Sequence, residues 1–498
     1  MKKIVSGNEL KEGISKGVNL IGNTVRKTLG SKGRYVGIYN AYGRQYVTKD
    51  GVTVAANIQS EDLIEDFAIQ IIKESAQKTA DEVGDGTTTT TLFAQEIYNA
   101  GIKEILNGQN AIELRESFTD AYNLLEKYIK SESKAIKPDD IKMLEKVATI
   151  SANNDSVLGK RIAEIFTKIT QYGSVNVEEQ RSATDVEYSE GFEIEGGYMS
   201  HYFINDDSSK VILKDPIMIV TDQKITNLQI VASVIDPYLK NQHNSFVIVC
   251  PEIDPSILAS FVRNRMEAGL NICVVKAPSY GQHRKELLED LCALSGATLM
   301  SLDTNKDINK ILSPEHTGTV SKFIGDVFTS TYVTYDKSNP EVQKRIDQIK
   351  IKLKDVVVEE DKKRLEERLA KLSAGVATIK VGAASEIEAK EIKDRIDDAV
   401  KATRSALKGG ISKGAGIAYL ESIKALEKLD NLSVKKILTH ALAQPSIQIL
   451  ENVNVKPDYS DIYDPTDVVL NAIKNSISVS LQLLMTEALV INKDEIQK

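Results

Sequence analysis

Five consecutive threonines, Thr87 to Thr91, follow Gly84-Asp85-Gly86 at the head of a segment with helical patterning. Glycine lets a backbone approach an anion closely. Free N–H groups at a helix start, helped by the helix dipole, favour phosphate. Threonine hydroxyls add donors, and Asp85 is placed to hold Mg²⁺ against phosphates. An Asp/Thr cap after a glycine turn explains most such segments, although five threonines exceed what a cap needs. A second loop, Thr28-Leu29-Gly30-Ser31-Lys32-Gly33-Arg34, suits an anion or a helix C-cap carrying a solvated charge. A third, Thr48-Lys49-Asp50-Gly51-Val52, reads as a tight turn. Asp397 and Asp398 lie on a helical stretch whose inward stripe is Ile392, Ile396, Val400, Thr403 and Leu407. Asp398 falls off that stripe, and Asp397 stands four residues before Lys401, so a solvated, ion-paired face accounts for both.

These loops need helices to position them. Leu10, Ile14, Val18, Ile21 and Val25 recur at helical spacing, and Gly30 and Gly33 end the pattern. A strand–turn–strand is expected across 35–47, then helices over 61–81, 87–105 and 111–129, with a first domain boundary near Pro138. Phe246–Cys250, Asn271–Lys276 and Thr298–Met300 are short apolar runs separated by helical segments, which argues for an α/β unit with parallel strands. Two charged helices, carrying Ile346, Ile349 and Leu353 and then Leu365, Leu369 and Leu372, read as an antiparallel hairpin laid on another domain. A strand over 378–381, a long helix over 386–407 and helices near 412–428, 433–453 and 465–487 complete the pattern.

A chain of 498 residues is too long for one core, so two to four domains are expected. A net charge of −8 argues against a general nucleic-acid binder. Cys250, Cys273 and Cys292 form neither a C-x-x-C pair nor an even set, so a reducing, cytoplasmic setting is expected, without zinc or disulfides. No run approaches a membrane span, and no apolar stretch follows the N-terminal lysines as a secretory signal requires.

Taken together, the segments resemble the group I chaperonins over nearly the whole chain. The matching stretches are Thr28–Arg34, Thr48–Val52, Gly84–Thr89, Thr149–Asn153, Gly197–Asn205, Val275–Pro278, Glu366–Leu372, Ile379–Ala384 and Ala402–Arg404. The resemblance implies a multidomain α and α/β fold. Residues 1–135 and 410–498 would form a mostly helical equatorial domain that binds ATP. Residues 136–190 and 376–409 would form a small α/β intermediate domain, and 191–375 an α/β apical domain, with hinges at Gly191 and Gly375. It implies that Thr28, Leu29, Gly30, Lys49, Asp50 and Gly51 line the nucleotide, with Ala415 in the family's glycine triplet and Asp464 near the ribose. Asp85 would hold Mg²⁺, while Gly86, Thr87, Thr88 and Thr89 grip phosphates. Asp398 would position the attacking water, with Asp50 as a further catalytic candidate. K⁺ is a candidate third cofactor beside ATP and Mg²⁺. Tyr198, Tyr202, Phe203, Ala232, Ile235, Leu258, Val262 and Arg263 match an exposed apolar groove for unfolded clients.

The chain departs from that family in several places. Ser31 replaces a proline. Gly414-Ala415-Gly416 replaces three glycines, which alanine tolerates only with a negative φ or an adapted backbone. The segment between Pro457 and Asp464 is short. Ala232 and Arg263 stand where bulkier apolar residues are usual. Ile447 and Lys456 replace an inter-ring ion pair, and the chain ends without a Gly-Gly-Met tail. The resemblance implies an ATPase that folds captured proteins in a homo-oligomeric seven-membered ring, single or double, under a cochaperonin lid. The alternative is a ring-forming holdase or scaffold with weak ATP turnover.

Overall fold

The computed structural model describes residues 2–30, 32–39, 45–180, 185–189, 191–206, 209–335, 340–356, 358–383, 386–453 and 461–492. Ser31, Lys456, Pro457 and the chain's last residues lie outside them. The chain forms two compact units. One joins 1–167 to 390–498, and the other is the unbroken stretch 168–389.

The first unit is built of helices. Along Gly7–Val25 the expected stripe Leu10, Ile14, Val18, Ile21 and Val25 is buried against Ile64, Ala68, Ile69 and Ile72 of Leu63–Val83. Gly17 permits that approach, because an added Cβ would sit 2.2 Å from the Glu65 carbonyl oxygen. Thr87–Leu106, Ala111–Glu132, Leu432–Val453 and Thr466–Leu484 enclose a second core around Phe93, Phe118, Leu438 and Ile473. The helix expected over 412–428 is different. Ile411–Lys413 is a strand paired antiparallel with Tyr463–Pro465, and only Ile417–Ser422 is α-helical before a 3-10 stretch, Ile423–Lys428. Left-handed backbone at Ala415 and Gly416 separates strand from helix.

The second unit is α/β, as the apolar runs predict. Ser245–Cys250 lies at the centre, parallel to Asn271–Lys276 on one side and Ile217–Val220 on the other. Ile217–Val220 was not anticipated, and Met300 joins only through a bridge to Thr221. An antiparallel sheet follows the order Gly191–Glu195, Thr329–Val333, Lys322–Gly325, Val211–Lys214. The charged hairpin, Pro340–Asp355 and Glu359–Ala374, lies on this unit's own core, with Ile349, Leu365 and Leu372 buried. Val376–Gly382 pairs parallel with Ser174–Gln180 and antiparallel with Asp185–Ser189. Gly375, at φ +77°, precedes it in a conformation that side-chain-bearing residues rarely adopt. No helix among the described residues is long and apolar enough to cross a membrane.

Candidate nucleotide and client sites

Two left-handed glycines set the main turn. Leu63–Val83 stops at Gly84, φ +77°, and Thr87–Leu106 starts after Gly86, φ +87°. Asp85 is held between them. Its Oδ1 accepts the Gly86 N–H at 2.5 Å and its Oδ2 accepts the Ser151 hydroxyl at 3.2 Å. Neither glycine can be replaced without displacement. A Cβ on Gly84 would meet the Lys401 side chain at 2.1 Å, and one on Gly86 would meet Val468 at 2.9 Å. The long helix Glu386–Gly409 therefore lies directly on the turn.

The threonines divide into two groups. Thr90 and Thr91 spend their hydroxyls on the helix itself, donating to the Gly86 and Thr87 carbonyls at 3.0 Å each. Thr87, Thr88 and Thr89 are left at the helix entrance. Thr88 faces Thr28 across 3.5 Å between hydroxyls. An added Cβ on Gly51 would lie 2.0 Å from the Thr88 hydroxyl. Three loops far apart in sequence thus converge there. Asp50 caps the short helix Gly51–Ala56, accepting the Val52 and Thr53 N–H groups at 3.3 and 2.7 Å.

Asp398 is half-buried and not on the fully solvated face that its place off the stripe suggested. Burial and the charges of Asp85, Asp50 and Asp397 push its carboxyl well above the usual range, and Lys401 opposes them. Burial likewise raises Asp85 against its two hydrogen bonds, with Asp50 adding to the rise. Asp464 sits opposite Ser412 in the two-stranded ladder, and burial followed by the Asp85 charge pushes it up to about 7. Gly414 leaves room for it, since a Cβ would fall 3.0 Å from its Oδ1. Ala415 has φ +54°, so the expected condition of a negative φ is not met. Burial, then Lys32, pulls Lys49 below its ordinary value, while Glu391 opposes. Ser151 and Tyr419, whose hydroxyl is pushed up by burial and then by the charges of Asp464 and Asp85, have no role in the sequence reading, and Lys401 enters it only as an ion-pair partner of Asp397. Of the first two, Ser151 carried a signal, as part of the Thr149–Asn153 match.

The result is a group of mutually repelling carboxylates beside glycine turns and hydroxyls. Among the described residues, no three His, Cys, Asp or Glu side chains converge as ligands to one metal. That donor set fits Mg²⁺, which takes one or two carboxylates and fills its shell with water and substrate phosphate oxygens.

A family model described as the TCP-1/cpn60 chaperonin family matches residues 21–457. The chain belongs to that family. Its fold agrees. Two crystal forms of the chaperonin gp146 from the bacteriophage EL 2 (Pseudomonas aeruginosa), both in the presence of ATP-BeFx, superpose with TM-scores of 0.75 and 0.66. They share 21% and 20% identity with this chaperonin, and both matches cover 98% of this chain and 99% of the other.

The expected client groove of this chaperonin is only partly at the surface. Tyr202 is 66% exposed, and Leu258, Val262 and Ala232 are half-buried, with Arg263 exposed. Tyr198, Phe203 and Ile235 are instead buried in the core of their unit. For Phe203 the cause is the 3-10 turn His201–Phe203. Arg265 donates from Nε to the Tyr202 carbonyl and from Nη2 to the Ile204 carbonyl, 2.9 Å each, and so ties the turn to Pro255–Ala268 with Phe203 inward. Met266, 68% exposed, was missed. It continues the Leu258–Val262 stripe at four-residue spacing along the same helix.

Proposed function

We propose that this chaperonin binds ATP with Mg²⁺ at the carboxylates around Asp85, hydrolyses it with Asp398, and captures unfolded proteins on the Tyr202 face. The observation that carries the reading is the convergence of Asp398, Asp85 and Asp50 beside Thr28, Gly51 and Thr88. Asp85 would hold Mg²⁺, which supplies charge neutralisation at the phosphates. The N–H groups and hydroxyls at the start of Thr87–Leu106 bind and orient the phosphoryl oxygens. Asp398 accepts a hydrogen bond from the attacking water and aligns it, and Asp464 lies at the ladder edge for the ribose. Positioning of this kind, with charge compensation, is most of what phosphoryl transfer asks of a protein.

A closed ring, seven-membered as the resemblance implies, is part of the same reading. Lys2–Ser6 pairs with Ala488–Asn492, and Val36–Tyr39 with Gln45–Thr48, as two separate two-stranded sheets. Both have open edges and carry exposed Ile4, Val490, Tyr39 and Val47. Two-stranded sheets are marginal alone and gain by adding strands from a neighbour. Several copies of the Tyr202 face around one cavity would then raise client avidity, with a cochaperonin closing the cavity. The three-domain division and its hinges belong to this proposal.

Asp398→Ala should leave nucleotide binding nearly intact and slow hydrolysis at least tenfold, about 1.4 kcal/mol in the barrier. Hydrolysis at the parental rate would remove Asp398 from the mechanism. Client refolding that proceeds equally without ATP would favour the holdase.

A further inference from the structure

The chemistry above lies on one side of the loop that starts at Thr28. Beside that loop is a cavity of about 180 Å³ lined by polar and charged residues. Arg26, Lys27 and Arg34 form one wall, and Gln448, Glu451 and Asn452 of Leu432–Val453 form the other. Three cations therefore face a single carboxylate. Glu96 engages one terminal nitrogen of Arg26 at 2.7 Å, but the Arg26 Nε is buried without a hydrogen-bond partner. A buried donor left in that state is costly, and a water or an ion can supply the acceptor.

The two walls are fastened together. Asn452 Nδ2 donates to the Arg26 and Leu29 carbonyls at 3.3 and 2.9 Å. The Arg34 N–H donates to the Lys27 carbonyl at 2.7 Å. Gly30 rests against Ile449, where an added Cβ would lie 3.3 Å from Cγ1.

We propose that this cavity is a second anion site, for a phosphate-type oxyanion. A tetrahedral oxyanion presents acceptors on every side and matches guanidinium and ammonium donors arranged around it. The ion joins the loop to the helix and so holds Thr28, Leu29 and Gly30 from behind. Where those residues bind nucleotide, as in the function proposed above, occupancy of this site changes nucleotide affinity reciprocally.

Inorganic phosphate titrated calorimetrically into the full-length protein, with and without saturating ADP and Mg²⁺, tests the site. A phosphate site should persist in the presence of ADP. The double variant Lys27→Gln/Arg34→Gln should weaken it by about tenfold or more, since two charge-assisted bonds are lost. Glu451→Gln, on the exposed surface of its helix, should tighten it by about two- to threefold by removing the opposing charge. This variant decides the matter if the double variant does not fold. The proposal falls if ADP abolishes all phosphate binding, or if neither variant moves the affinity. It also falls if phosphate binds only to dissociated subunits, because the occupant is then a neighbour's carboxylate. Failure of ADP to bind would count against the nucleotide reading alone, and the variants would still judge this one.

Discussion

In the unit spanning 168–389, Asp290 is fully removed from solvent and is met by two arginines. Arg368 donates from Nε and Nη2 to its two oxygens at 2.9 Å each, and Arg345 donates from Nε at 2.7 Å. Glu286 and Glu289 satisfy further guanidinium nitrogens of the same pair. In the other unit, Asp398 is half-buried and feels the charges of Asp85 and Asp50, with Lys401 as its opposing cation. The sequence spends cations where a carboxylate only has to hold helices together, and withholds them where three carboxylates gather. Like charges buried without compensation are a cost to folding, and such costs concentrate at functional sites.

Removing compensation should therefore hurt most in the second unit. Arg368→Ala leaves Asp290 and Glu286 without their principal partner in a dry position, and breaking a buried pair in this way costs about 3–5 kcal/mol. Denaturant unfolding should show that loss in the transition of residues 168–389. A change below about 1 kcal/mol would mean that Arg345 and water compensate fully, and the contrast between the units would disappear.

Phe203 and Tyr202 make a similar contrast between neighbours. Phe203 is wholly buried, so Phe203→Ser should cost about 3–5 kcal/mol. Tyr202→Ser and Met266→Ser should leave the fold within about 0.5 kcal/mol, as surface changes do, and reduce capture of an unfolded protein. Equal loss of stability in both classes, seen by thermal melting, would place Tyr202 in the core as well.

In the carboxylate cluster the sign reverses. Asp398→Asn should raise stability in the absence of nucleotide by about 0.5–2 kcal/mol while it impairs hydrolysis. The cluster also sets a pH dependence. Asp464 holds its proton up to about 7 in the folded chain and only to the ordinary carboxylate range when unfolded. Its contribution to stability is therefore greatest at low pH and is lost as pH rises through 7. Without nucleotide, the first unit should melt a few degrees lower at pH 8 than at pH 6, and Mg²⁺ with nucleotide should narrow that gap. His283, in the second unit, runs the other way. Burial and then Arg368 lower its pKa, so its contribution is lost on acidification. A melting profile in which both units weaken in the same direction would contradict this pairing.

What the sequence made legible follows from range of interaction. Helices with a clean stripe, such as Gly7–Val25, and apolar runs such as Ser245–Cys250 are encoded locally, and both were readable. Glycine turns at Gly84 and Gly86 were readable for the same reason. Asp398 was not readable from its own helix. Its environment is made by Asp85 and Asp50, hundreds of residues away, and only the resemblance to a family connected them. The inward turn of Phe203, against its match to an exposed groove, depends on Arg265 reaching two carbonyls on another segment. The helix expected over 412–428 begins only at Ile417, because Ile411–Lys413 pairs instead with Tyr463–Pro465.

The smallest expected effect concerns Ala415, which separates that strand from the helix Ile417–Ser422. Its φ of +54° lies in the left-handed region, where a Cβ crowds the neighbouring carbonyl. Gly416, next in line, has φ +78° and is packed so closely that a Cβ would sit 2.5 Å from the Ser446 hydroxyl. The two are not equivalent. Gly416 is a glycine by necessity of space, whereas Ala415 is a buried side chain held on strained backbone. Its carbonyl is also held, accepting the Ser446 hydroxyl at 3.0 Å, so the backbone is not free to relax. Ala415→Gly should relieve strain of about 1–2 kcal/mol and return part of it as unfolded-state entropy, for a net gain of about 0.5–1 kcal/mol. Gly416→Ala should lose more than that. If Ala415→Gly instead destabilises the first unit, the alanine methyl is making contacts that outweigh the strain. The turn would then be a packed feature of this chaperonin rather than a tolerated departure from its family.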